Sequence, residues 1–252
     1  MGKKHDSFGK DNRRRKYKMG PDVEYLRKYH KTTEVIQDGF ENISGIPEIW
    51  VTILKQKTPD KIRSIIDMWK KDFSHELPQQ IAYFEKHLKD VDLITYVNFK
   101  KKQVYSLLYS IESEKGRILY YEGGNPLDVK QDEKIMAHLS RFPEKITQFY
   151  ETLHNGFFYY ASGSTGLISA CDIWALDDEE WHILEELEEP LQIDMENTYA
   201  VFASGGGGYV VVDLCNCENN NATIWSTTMQ PNYNQNFWGI VATWTVIGFT
   251  AH

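Results

Sequence analysis

Residues 146–252 hold 14 aspartates and glutamates and not one lysine or arginine. Whatever these 107 residues fold into, their acids find no lysine or arginine partner within the same stretch. Burying an unpaired carboxylate is strongly unfavourable, so most of these acids must stand at the surface, facing solvent or something cationic. An ordinary solvated surface interleaves both signs. A surface of one sign repels nucleic acid and attracts basic partners.

The remainder of the chain is different. Residues 1–31 carry 11 Lys+Arg against 4 acids, and residues 32–145 carry 17 against 18, so the net charge of −8 over 252 residues conceals a sharp division. With 41% apolar and 25% charged residues the chain is ordinary globular material, long enough for one large domain or two small ones. No apolar run reaches the ~18 residues of a spanning helix. The opening stretch MGKKHDSFGKDNRRRKYK lacks the apolar segment of a signal peptide. Cys171, Cys215 and Cys217 are too few and oddly numbered for a disulfide framework. The expectation is a cytoplasmic protein with no membrane partner.

Along the chain, residues 1–20 read as a disordered basic arm. Three roles stay open for it: a nucleic-acid contact, a solvated tail, or a rest against the acidic half. Residues 21–90 read as helical. Thr58-Pro59 is a start signal, and Ile62, Ile65, Ile66, Trp69 and Phe73 fall on one helical face. Pro78 opens a second helix with Ile81, Phe84 and Leu88 inward. Residues 91–122 switch to period two, with polar turns at Lys100-Lys101-Lys102 and Glu114-Lys115-Gly116, which predicts a three-stranded antiparallel meander. Gly123-Gly124-Asn125-Pro126 marks a break. The expected division is therefore 1–20, 21–127 and 128–252.

Beyond the break the pattern predicts helices over 128–139 and 143–153 and a short aromatic strand at 157–160. Asp177-Asp178-Glu179-Glu180 then looks like the start of a helix with Trp181, Leu184 and Leu187 buried, ended by Pro190. Strands follow over 198–203 and 209–214, joined by Ser204 and four glycines. A last pair is expected over 222–227 and 241–249.

Motifs for chemistry are sparse. Gly205-Gly206-Gly207-Gly208 has strands predicted on both sides and no lysine near, so it reads as a hairpin turn, not a phosphate loop. Cys215-Asn216-Cys217 lacks the second pair of ligands that a zinc site wants. Ser162-Gly163-Ser164 does not form a nucleophile elbow. The paired carboxylates sit at solvent-face spacing, without an apolar pocket to split their pKa values. No enzyme, cofactor or metal is expected.

Five pieces in order resemble the SUKH superfamily, whose bacterial members are immunity proteins against polymorphic toxins and which includes a fungal cell-wall synthesis regulator. They are Phe142-Pro143-Glu144 with Phe149-Tyr150 and His154-Asn155-Gly156-Phe157; Gly166-Leu167-Ile168 with Asp172-Ile173; Tyr199 through the glycine run to Tyr209 and Asp213; Ala222-Thr223-Ile224-Trp225; and Asn236-Phe237-Trp238 with Trp244 to Phe249. The resemblance covers roughly residues 138–252. It departs from the family at Val241-Ala242-Thr243-Trp244, where an acid often precedes the tryptophan.

The resemblance implies an α+β fold, a mainly antiparallel or mixed sheet flanked by helices, with a SUKH-like C-terminal domain preceded by the helical segment and the meander. It also implies an antitoxin that occludes a cognate basic toxin, a nuclease in the first instance. The docking acids would be Asp177, Asp178, Glu179, Glu180, Glu185, Glu186, Glu188 and Glu189, with Trp174, Tyr209 and Trp238 as exposed aromatic anchors. Two alternatives are a regulatory scaffold of the same superfamily binding a cellular partner, and nucleic-acid binding through residues 1–18.

Overall fold

A computed structural model describes residues 20–163 and 165–250; the basic arm, apart from Gly20, lies outside the described residues. The fold is α+β, with helices flanking an antiparallel sheet. Among the described residues eleven strands form one sheet: β1 (Glu34–Ile36), β2 (Leu88–Val97), β3 (Gln103–Glu112), β4 (Ile118–Gly124), β5 (Phe157–Tyr159), β6 (Gly166–Leu167), β7 (Trp174–Ala175), β8 (Thr198–Ala203), β9 (Gly208–Asp213), β10 (Asn221–Ser226) and β11 (Asn232–Asn236). They lie side by side in chain order, except that β6 and β7 both pair with β8. Every ladder is antiparallel.

The helices are α1 (Val23–Leu26), α2 (Glu48–Leu54), α3 (Thr58–Phe73), α4 (Pro78–His87), α5 (Pro126–Lys130), α6 (Glu133–Leu139), α7 (Glu144–Gln148) and α8 (Phe237–Thr250). A π-type turn, Phe149–Leu153, extends α7. Among the described residues no helix is long and apolar enough to cross a membrane.

The meander forms because β-branched and aromatic residues alternate in period two. Leu107, Tyr109 and Ile111 face the helices, while Leu108 faces the other way. The helix stripe also forms as read, with Ile65, Ile66, Trp69 and Phe73 buried and Ile62 at its edge. The Thr58 hydroxyl does not cap this helix. It donates to Asp90 Oδ2 at 3.2 Å, beside the Lys61–Asp90 ion pair at 2.6 Å. Segment 21–90 contributes a strand as well as helices, since β1 pairs with β2.

The main core lies between the helices and one sheet face and crosses the 127/128 boundary. Trp69, Phe84 and Tyr109 pack there with Phe149, Phe157 and Trp238. The sheet also crosses it, through the β4–β5 ladder.

The opposite sheet face carries two smaller covers. Leu26 and Tyr160 close over Ile94, Tyr96, Leu108 and Tyr120 of β2–β4. Leu176, Trp181 and Ile183 close over Ala200, Ala203, Val211 and Trp225 of β8–β10.

Two expected elements are corrected. Residues 241–249 are not a strand but the body of α8. Asn236 Oδ1 accepts the Gly239 N–H at 2.8 Å, a helix N-cap, and Phe237, Trp238, Val241, Ala242, Thr245 and Phe249 bury one side. Residues 177–189 are not an α-helix either. They form a strap of short 3-10 turns, Leu176–Asp178 and His182–Glu186, joined by extended backbone. In the strap Ile183 is buried and Leu184 is 39% exposed, the reverse of the expected helical stripe.

Candidate functional site

The acidic strap is built from the inside outwards. Trp181 lies against Trp225 edge to face at 5.4 Å, and its indole N–H donates to Leu176 O at 2.8 Å. Trp174 stacks on Trp181, and Tyr209 stands edge-on to both. Gln230, from the β10–β11 turn, clamps the strap by donating to Glu186 O at 2.8 Å and accepting the Glu188 N–H at 3.1 Å. With Leu176, Trp181 and Ile183 buried beneath it and Leu184 exposed, the strap presents Asp177, Asp178, Glu179, Glu180, Glu185, Glu186, Glu188 and Glu189 to solvent, all exposed. Asp178 also closes its own turn by accepting the Ala175 N–H at 3.1 Å. Among the described residues no ion pair reaches any of the eight.

The structure thus brings together ten of the eleven expected residues. Trp174 and Tyr209 are half-buried beside the acids. Trp238 is corrected: it is 3% exposed and packs on Phe73 and Phe149 from α8, in the core on the opposite face of the sheet. It cannot touch a partner that docks on the strap.

The other motifs fall into place around this face. Gly205-Gly206-Gly207-Gly208 turns β8 into β9, with Gly205 and Gly207 at φ +79°. The Ser204 hydroxyl accepts the Gly206 and Gly208 N–H groups at 3.2 and 3.1 Å. Cys171, Cys215 and Cys217 are free thiols, and among the described residues no three acids, histidines or cysteines are placed to hold a metal.

A cleft that the sequence did not announce lies where the strap runs out past Pro190. Its volume is about 20 Å3, room for one water-sized group, and its walls include Gln192, Asp213, Asn216, Asn221, Thr223 and Asn234. The one signal in the sequence was the asparagine density of 216–236. Asp213 at the end of β9 is 7% exposed, and its Oδ1 accepts the Cys215 N–H at 2.9 Å.

The strongest titratable cluster is sealed in the main core. His154 Nδ1 meets Gly124 O at 3.3 Å; a carbonyl only accepts, so Nδ1 carries the proton. Nε2 therefore accepts from the Tyr109 hydroxyl at 2.7 Å, and that oxygen accepts from Trp69 Nε1 at 3.0 Å. Burial holds the His154 imidazole down to about 3, so it stays neutral. On the opposite face Glu122 is buried, its Oε1 accepting from Tyr96 at 2.8 Å and Ser106 at 2.6 Å. Burial pushes its carboxyl up. Nearby, burial pushes Asp92 up to about 6.

No protein-family model, curated protein or solved structure gives a significant match to this chain.

Proposed function

We propose that the chain is a non-enzymatic immunity protein, which docks the acidic strap on the basic surface of a cognate bacterial toxin and occludes it. The observation that carries the reading is the strap itself. Eight exposed acids stand on a fixed aromatic base with no cation paired to them among the described residues. Such a face accelerates encounter with a cationic partner, while Trp174 and Tyr209 at its border supply apolar contact. A nuclease is the toxin class that fits best, because a surface that grips phosphates is cationic and a row of carboxylates competes for it. The order of motifs resembling the SUKH superfamily supports the same reading.

The test is capture from the native host with tagged full-length protein, followed by assay of the captured partner. A basic toxin whose activity falls to zero at one equivalent of the chain supports the proposal. A partner with no toxic activity, or one whose activity is unaffected, replaces it with the regulatory-scaffold reading.

A further inference from the structure

We propose that the cleft at Asp213 is a socket for a single lysine ammonium of the basic partner. This deepens the immunity reading and rests on it, in that the lysine belongs to the protein that the strap attracts.

Asp213 is more than nine-tenths buried, yet its carboxylate is only partly used. Oδ1 accepts the Cys215 N–H. No nitrogen or hydroxyl donor among the described residues bonds Oδ2, and the Cys215 thiol beside it is directed to Asp194 Oδ2 at 3.9 Å instead. Oδ2 is not among the sealed, unpartnered buried atoms, and Asp213 belongs to the lining of the cleft, where a cationic donor would complete its hydrogen bonding.

Three features select the cation. The cleft admits one water-sized group, which is the size of an ammonium head. The walls supply neutral acceptors around the single charge. Asn221 Nδ2 is spent on Asn216 O at 2.9 Å, which leaves its own Oδ1 to accept. Asn234 enters from the irregular β10–β11 ladder in a left-handed conformation, φ +56°, that asparagine tolerates. Third, one carboxylate balances one positive charge. A calcium ion wants six to eight oxygens, commonly several of them charged. A planar guanidinium with its three nitrogens is larger than the one water-sized group that the cleft admits. The ammonium, with three donors and one charge, fits what is present.

The socket also lies on the path of the strap. Gln192 and Ile193 form part of its wall only three residues past Glu189. The socket thus adjoins the C-terminal end of the acidic segment in the chain.

The experiment is fluorescence anisotropy of a labelled deca-lysine peptide with the full-length protein at low ionic strength, alongside deca-arginine. Asp213→Asn keeps an oxygen for the Cys215 N–H and removes the charge. Deca-lysine binding is expected to weaken about tenfold, as for the loss of one charge-assisted hydrogen-bonded pair, with deca-arginine binding changed less than about threefold. Equal deca-lysine binding by wild type and Asp213→Asn overturns the proposal, and so does an equal loss for the two peptides.

A second variant guards against misfolding. Gln192→Lys places a tethered ammonium at the rim and is expected to raise the melting temperature by a few degrees, a gain that vanishes when Asp213→Asn is added. No gain, or a gain that survives the second change, overturns the socket. If millimolar calcium chloride, compared with sodium chloride at matched ionic strength, stabilises wild type but not Asp213→Asn, the cleft is an ion site and the proposal falls. Failure here is separable from failure of the immunity reading. If neutralising the eight strap acids weakens partner binding while Asp213→Asn does not, only the socket is wrong.

Discussion

Trp174 stacks on Trp181 with ring centroids 5.9 Å apart and planes 13° from parallel. That contact joins the half-buried border of the acidic face to its fully packed base. With the Trp181–Trp225 contact and the Gln230 clamp, it holds the strap against the sheet.

Truncation should separate the two rings. Trp181→Ala removes the buried side chain that spans Leu176, Trp225 and Tyr209, and is expected to cost about 3–5 kcal/mol in urea unfolding. Trp174→Ala should cost only about 1 kcal/mol, because the ring is half-exposed, and should instead weaken partner binding by about 2 kcal/mol. Equal effects on stability would show that the two rings are not base and border.

At the junction of the two halves, Gly123 lies beside His154. A Cβ added there would sit 2.6 Å from the imidazole carbon and nitrogen, inside any tolerable contact. Gly123→Ala should destabilise by about 1–3 kcal/mol through overpacking, read as a shift in the urea midpoint at constant slope. His154 is closed into hydrogen bonds on both nitrogens, so it has no free rotation to escape.

The imidazole of His154 should not titrate in the ordinary histidine range. Its folded value is held down to about 3 by burial, below the 6.5 of an exposed ring. The unfolded chain therefore binds a proton that the folded chain refuses, and stability falls as pH drops from 6.5 towards 3. NMR of the ring carbons should show no midpoint for this residue above about pH 4. A midpoint near pH 6 would mean that the hydrogen-bonded chain to Tyr109 and Trp69 is open to water.

Asp92 works in the opposite sense. Desolvation raises its carboxyl from 3.8 to about 6, against the pull of Lys61 and with the push of Asp90. Between those values the unfolded chain has lost the proton and the folded chain still holds it. This contribution is thus complete below pH 3.8 and is lost as pH rises through 6. Asp92→Asn should stabilise the protein at pH 7.5 by about 1–2 kcal/mol relative to wild type, after allowance for its partial exposure, and by nothing at pH 3.5. Urea unfolding at the two pH values checks the difference; a gain of the same size at both would remove the titration from the account.

The β2–β4 meander was legible in the sequence because three local signals agreed: alternation of apolar side chains, β-branched and aromatic content, and polar turns at both ends. The α3 stripe was legible for the same reason. Where local signals disagreed, the tertiary context decided. The β-branched run Thr243, Thr245, Val246 and Ile247 favours a strand, but the Asn236 cap and the buried positions at 237, 238, 241, 242, 245 and 249 make it α8.

The acidic face was legible as charge but not as shape. Trp181, Leu184 and Leu187 have helical spacing, yet the sheet face of Ala200, Val211 and Trp225 is covered by Trp181 and Ile183, which a short 3-10 turn points the same way. Trp238, expected as an exposed anchor, lies in the core against Phe73 and Phe149. Which tryptophan faces outward depends on the two sides of the sheet, and the pattern of residues 237–249 carries no local mark of that. The Asp213 cleft was invisible for a related reason, since its walls come from β9, β10, β11 and the end of the strap.

The most direct measurement of the central claim is the affinity of the captured partner, as a function of salt, for wild type and for a variant with Asp177, Asp178, Glu179, Glu180, Glu185, Glu186, Glu188 and Glu189 replaced by their amides. Wild-type affinity should fall steeply with rising salt. The variant, folded as judged by its melting temperature, should bind at least about a hundredfold more weakly at low salt with a nearly flat salt dependence. Unchanged affinity and an unchanged salt slope in the variant would contradict the account, because the partner would then be docking somewhere other than the strap.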